Sequence, residues 1–94
     1  MVKVIISHEV KNFSDWKKVF DSDESNRVQK GVKITGVYTA VDNANHVTVT
    51  SEFPSAEAVK GFMQNSDLKS TMEKAGVVSM PDVRVLNKVQ WLSF

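Results

Sequence analysis

The hydrophobic period of this chain changes several times, and that change limits the folds open to it. "HVTVTSEF" (46–53) alternates apolar and polar residues, the period of a half-buried strand. Residues 2–10, containing "VIISHEV", and 32–41, "VKITGVYTAV", are rich in β-branched residues and read as two more strands. A fourth strand with a short tail is predicted over 82–94, "DVRVLNKVQWLSF". Between strands one and two the period becomes three-four. Trp16, Val19, Phe20, Asp23, Arg27 and Val28 share one face of a helix expected over about 15–30. Ser14 is its expected N-cap, and Gly31 its left-handed stop. "DNAN" (42–45) supplies turn residues, so strands two and three form a hairpin. A second helix is capped by Ser55, with Val59, Phe62 and Met63 as its stripe. "NSD" (65–67) breaks it, Ser66 caps a further segment carrying Leu68, Met72 and Ala75, and Gly76 ends that segment.

The order β-α-β-β-α-β is the ferredoxin-like split βαβ plan, an α+β fold with a four-stranded antiparallel sheet and helices on one face. Its spatial strand order is 4-1-3-2. Alternation then divides the strand residues between two faces. Val4, Ile6, His8 and Val10, with Val47, Val49 and Ser51, with Ile34, Gly36, Tyr38 and Ala40, and with Val83, Val85 and Val89, are largely apolar and are assigned to the helices. Ile5, Ser7, Glu9, Thr35, Val37, Thr39, His46, Thr48, Thr50, Glu52, Arg84, Leu86 and Lys88 form the other face. That face is semi-polar. A second sheet packed on it would cover it; the plain alternative is that it faces water.

Composition narrows the function classes. Ninety-four residues make one domain (1–94), with little core to spare. Net charge is +1 and no basic block stands out, so nucleic-acid binding is not expected. The chain has no cysteine, which excludes thiolate chemistry and disulfides. No apolar run reaches the ~18 residues of a membrane helix. "MVKVIIS" is too short for a signal-peptide core. A cytoplasmic protein without a membrane partner is the expectation.

With these elements in place, "SHEVKNFSDWKKVFD" (7–21), "GVKITGVY" (31–38), "SEFPSAEAVKGFMQNSDLKSTMEKAGV" (51–77) and the last strand resemble the dimeric α+β barrel superfamily. The branch most similar is that of the small antibiotic-biosynthesis-monooxygenase-like proteins. The resemblance implies a homodimer in which two sheets pack into one barrel, and a pocket in each subunit between helices and sheet. It implies a small apolar or aromatic ligand and no cofactor. Haem ligation is not carried over: the only tryptophans are Trp16 and Trp91 and the only histidines are His8 and His46, and none lies in helix two. The histidines that many monooxygenase-like members carry in helix two are also missing; Phe62 and Leu68 lie in that stretch.

Several residues then carry alternative readings. His8 is either a proton acceptor at the pocket, acting on a phenol or an enol, or a strand histidine satisfied by a backbone carbonyl. Tyr38 is either a hydrogen-bond donor in the space that Gly36 leaves or a core tyrosine bonded at its tip. Arg27 pairs with Asp23 at the boundary or meets an anionic ligand at the pocket mouth. Trp16, Phe20, Phe62, Met63 and Met72 complete the expected pocket, or simply pack as core. Glu9 and Arg84 are expected to face each other across strands one and four, on a dimer face with Ile5, Ser7, Val37, Thr48, Thr50 and Leu86. His8 and His46 fall on opposite faces, so no metal site is expected. Trp91 and Phe94 are expected to dock. The function expected is a ligand-binding or stress-response type of barrel. The alternatives are a cofactor-independent monooxygenase or isomerase acting on a small aromatic or polyketide-like compound, and a pocketless interaction dimer.

Overall fold

The computed structural model describes residues 1–87 and 89, with the side chains of all of these except Ser66 and Asp67. Eight elements follow one another: β1 (Val2–Glu9), α1 (Phe13–Ser22), α2 (Glu24–Gln29), β2 (Lys33–Ala40), β3 (Asn43–Phe53), α3 (Ala56–Met63), α4 (Ser66–Lys74) and β4 (Asp82–Leu86). The four strands make one sheet in the order β2-β3-β1-β4. Both partners of β1 run antiparallel to it. This is the expected ferredoxin-like α+β fold.

Local chemistry sets the ends of the elements. Asn12, not Ser14, caps α1: its Oδ1 accepts the Asp15 N–H at 3.0 Å. The expected single helix breaks at Asp23, whose N–H turns back to the Phe20 carbonyl at 3.2 Å. The Ser22 hydroxyl donates to the Val19 carbonyl at 2.7 Å, offering the backbone an alternative to the helical ladder. Arg27 keeps the three-four spacing of Trp16, Phe20 and Asp23 across the break and is buried, whereas Val28 faces solvent. Gly31 stops α2 at φ 75°, and Val32 N–H reaches back to the Arg27 carbonyl at 3.0 Å. Gly76 repeats the device after α4 at φ 80°, with Val77 N–H bonded to Met72 O at 3.1 Å. Ser55 caps α3 as expected, accepting from Ala58 N–H at 3.1 Å. The hairpin turn is tighter than "DNAN" suggests: Ala40 pairs with Asn43, leaving Val41 and Asp42 as the turn. The expected caps and docking contacts of Ser66, Trp91 and Phe94 fall outside the described side chains, as does the facing of Lys88.

The strand faces agree with alternation on three strands and depart from it on the fourth. Val4 opposes Ser51 and Val85, and Ile6 opposes Val49 and Val83, all toward the helices. On β2, Ile34 opposes Ser51, but Gly36 already opposes Thr50. Thr35 is the extra residue of a β-bulge, which turns the remainder of the strand over. Val37 therefore packs on the helix-side core, not on the open face. Gly36 and Tyr38 move the other way. Tyr38 is 56% exposed and its ring folds over Gly36, 2.6 Å from where a Cβ would stand. The other correction concerns the end of β4. Val89 lies beyond the strand and is 93% exposed, so alternation does not carry it to the core.

The core is in two parts. Val10, Trp16, Val47, Val49 and Ala75 form one cluster, with Phe20 and Ile34 against it. Val4, Val32, Phe53 and Val59 form the other, with Ile6, Ile34, Phe62 and Met63 packed around it. Phe53, Val4 and Val47 are the largest fully buried side chains. Burying an apolar side chain of this size contributes roughly 1.5–3 kcal/mol each.

Candidate functional site

A cavity of about 90 Å³ lies where the two clusters meet, partly open to solvent. Trp16, Val49 and Ala75 come to it from the first cluster, Val32 and Phe53 from the second. Its floor is the helix-covered face of the sheet. Its walls come from both helical layers, Trp16 to Arg27 on one side and Phe62, Leu68 and Met72 on the other. Asp23 and Arg27 continue the three-four spacing of Trp16 and Phe20, so all four reach the same wall.

Of the residues expected to form a pocket, the structure gathers His8, Trp16, Phe20, Arg27, Phe62 and Met72 around this space. Met63 packs in the second cluster instead. Gly36 and Tyr38 are not brought there, because the Thr35 bulge puts them on the opposite face. The expected pairing of His8 with Tyr38 is thus corrected: a full sheet separates them. Ile6, Val19, Asp23, Ile34, Ser51 and Leu68 also line the cavity, though the sequence does not single them out as pocket residues. For the strand residues among them a signal exists, since alternation places them on the helix side.

His8 is 4% exposed and its Nδ1 has no hydrogen-bond partner. Its ring meets Trp16 edge-on at 5.8 Å. Burial pushes its pKa below the ordinary value, against an opposing contribution from its own backbone and with a smaller lowering from His46. Burial thus favours the neutral imidazole. Arg27 is 7% exposed. Its Nη1 donates to the Phe20 carbonyl at 2.8 Å and its guanidinium carbon sits 3.9 Å from the centre of the Phe20 ring. The boundary ion pair expected with Asp23 does not form, and Nε has no partner. Burial lowers the Arg27 pKa, opposed by the charges of Asp23, Glu24 and Asp21. Leaving a buried polar atom unpaired costs about 1–3 kcal/mol. Among the described residues these two nitrogens are the buried side-chain atoms left so, and both belong to residues lining the same cavity. Ser51 is satisfied differently, its hydroxyl donating to the Val4 carbonyl at 3.4 Å.

A second, more open hollow of about 280 Å³ lies over Lys30, Gly61, Phe62 and Asn65. No unpaired buried polar atom faces it among the described residues, so its chemistry is less specific.

The open face of the sheet carries hydroxyl and charged pairs. Ser7 and Thr48 hydroxyls lie 2.9 Å apart, and those of Thr35 and Thr50 2.8 Å apart. Lys3 Nζ donates to Thr35 at 2.9 Å. Glu9 meets His46, its Oε1 2.9 Å from Nδ1, and not Arg84. The register explains this: Arg84 opposes Ile5, well along the strand from Glu9, and reaches only its neighbour Asp82 at 3.6 Å. His8 and His46 lie on opposite faces of the sheet.

A family model described as a domain of unknown function, DUF3764, matches residues 2–86. The chain belongs to the DUF3764 family. None of the curated proteins matches it. The DUF3764 chain is similar in fold to SnoaB, a cofactor-independent oxygenase from Streptomyces nogalater, at TM-score 0.74 and 11% identity, over 97% of this chain and 95% of that one. A crystal structure of an antibiotic biosynthesis monooxygenase aligns at TM-score 0.71 and 14% identity, over 96% and 100% of the two chains. A NIPSNAP domain protein from Burkholderia xenovorans aligns at TM-score 0.69 and 8% identity, over the whole of both. At these identities the likeness establishes the fold: the DUF3764 chain has the α+β architecture of the antibiotic-biosynthesis-monooxygenase-like proteins. No helix among the described residues is long and apolar enough to cross a membrane.

Proposed function

We propose that this DUF3764 protein is a homodimeric ligand-binding barrel of the stress-response type, whose cavity holds a small apolar molecule without turnover. The observation that carries the reading is the seam cavity, apolar on most of its surface and bordered by the buried, unpaired His8. A filled-core interaction dimer would not leave such a space. A cavity of about 150 Å³ accommodates benzene, so about 90 Å³ fits a single ring only if the two helical walls give slightly. The dimer is part of the proposal because Ile5, Leu86 and Tyr38 stand on the open sheet face, and Leu86 and Tyr38 are largely exposed. Packing that face on a second copy would cover them.

A cofactor-independent oxygenase or isomerase is the second reading. The place of His8 favours it, because an unpaired imidazole nitrogen on a cavity-lining residue can accept a proton from a phenol. The placement of Tyr38 on the far face removes the expected donor and weighs toward binding alone. Amide and methyl NMR shifts during titration with toluene and phenol test the proposal, with light scattering for the dimer. Shifts concentrated on Ile6, Trp16, Met72 and Ala75 are expected. Shifts absent from every lining residue at millimolar ligand, or a monomer at micromolar protein, would count against it. Oxygen uptake with a quinol that is abolished by His8→Ala would favour the enzymatic reading.

A further inference from the structure

We infer that the cavity selects a small apolar carboxylate, with Arg27 as the residue that receives the anion. The inference rests on the ligand-binding reading and names the ligand's chemistry. One wall of the cavity is a continuous series of rings in contact, capped by a guanidinium. The His8 ring contacts Trp16 at 5.8 Å, Trp16 stacks on Phe20 at 4.9 Å and 24°, and Phe20 carries the Arg27 guanidinium at 3.9 Å. A flat apolar body fits against such a wall. The two ends of the wall hold the unpaired polar atoms, His8 Nδ1 and Arg27 Nε.

Arg27 decides the charge of the ligand. Guanidinium is a fixed fork of donors matched to a carboxylate, and one arm of it is already committed to the Phe20 carbonyl. Nε–H is left without an acceptor, in a residue more than nine-tenths buried. Three carboxylates stand near, yet burial outweighs them in its effect on the group, and no ion pair forms with Asp23. Nε–H therefore has no acceptor within the chain, and the carboxylate of a bound ligand would supply one. Asp23 lines the same cavity and opposes an anion there. That gives the inference a test of opposite sign at a second residue. His8 Nδ1, at the other end, accepts a hydroxyl hydrogen in one tautomer and donates to a hydroxyl oxygen in the other, so a hydroxylated body suits it in both.

The probes are benzoate, benzyl alcohol and toluene, titrated at pH 7 by calorimetry, with NMR shifts locating the site on the lining residues. Benzoate is expected to bind at least about tenfold more tightly than benzyl alcohol, the worth of one charge-assisted hydrogen bond. Arg27→Lys keeps the charge and loses the fork. It should weaken benzoate by about tenfold and leave toluene within about threefold. Asp23→Asn should tighten benzoate by a few-fold, since it removes the opposing charge without changing shape; Asp23 makes no side-chain cap bond that would be lost. Benzoate binding no tighter than benzyl alcohol overturns the inference, as does benzoate binding weakened by Asp23→Asn or left unchanged by Arg27→Lys. Toluene bound without benzoate would overturn the carboxylate while leaving the ligand-binding reading intact. Neither bound would remove both.

Discussion

The two histidines of this chain stand on neighbouring strands, facing opposite sides of one sheet. His8 points to the helices, 4% exposed, unpaired at Nδ1 and against Trp16. His46 points to the open face, half-exposed and 2.9 Å from the carboxylate of Glu9. Their surroundings follow from the register: His8 opposes Val47, and Glu9 opposes His46. A shift of one residue in the pairing would exchange the two environments. One face of the sheet is helix-covered and holds a cavity; the other carries hydroxyl pairs, the Glu9–His46 contact and the Arg84–Asp82 pair. Residue type alone says little about either histidine, and its face says most.

The comparison can be broken most severely on the helix-covered face. Phe53→Ala removes a fully buried ring from the second core cluster and from the cavity lining. A loss of about 3–5 kcal/mol is expected in urea denaturation at fixed protein concentration. A loss under about 1 kcal/mol would mean that the seam collapses around the deletion.

A subtler test uses pH. The His8 pKa is lowered in the folded state from its ordinary value of 6.5. Between that ordinary value and the lower folded one, the unfolded chain binds more protons, so stability rises with pH there. Its contribution is fully present above 6.5 and is lost as pH falls through that value toward the folded pKa. His8→Phe should flatten this part of a stability profile measured from about pH 8 to about pH 5. An unchanged profile would show that His8 is not buried as described.

The smallest effect belongs to the open face. Thr48→Ala removes the hydroxyl pair with Ser7, in a half-buried position. It should cost no more than about 1 kcal/mol. A cost near that of Phe53→Ala would show that the two faces do not differ in the way their burial indicates.

Much of this contrast is legible along β1, β4 and residues 46–53 of β3, where apolar and polar residues alternate and the pairing with β1 is regular. The glycine stops at Gly31 and Gly76 are legible for a local reason: each ends an apolar stripe and adopts positive φ. The N-cap expected at Ser14 is two residues off because Asn12 and Ser14 are both good caps, and only the backbone shows which one accepts the Asp15 N–H. Strict alternation puts Tyr38 on the wrong face. Gly36 is the available signal, since a glycine inside a strand often marks a bulge and not only empty space.

The chain by itself determined the order of its strands and helical segments, the glycine stops at Gly31 and Gly76, and which face of the central strands turns inward. These depend on periodicity and local backbone chemistry, which neighbouring residues carry. The bulge at Thr35, the partner of Glu9 and the cavity at the seam of two core clusters were decided by tertiary structure. Each depends on how distant segments align across the sheet or pack over it, and such alignment is a property of the pairing that no single stretch of sequence holds.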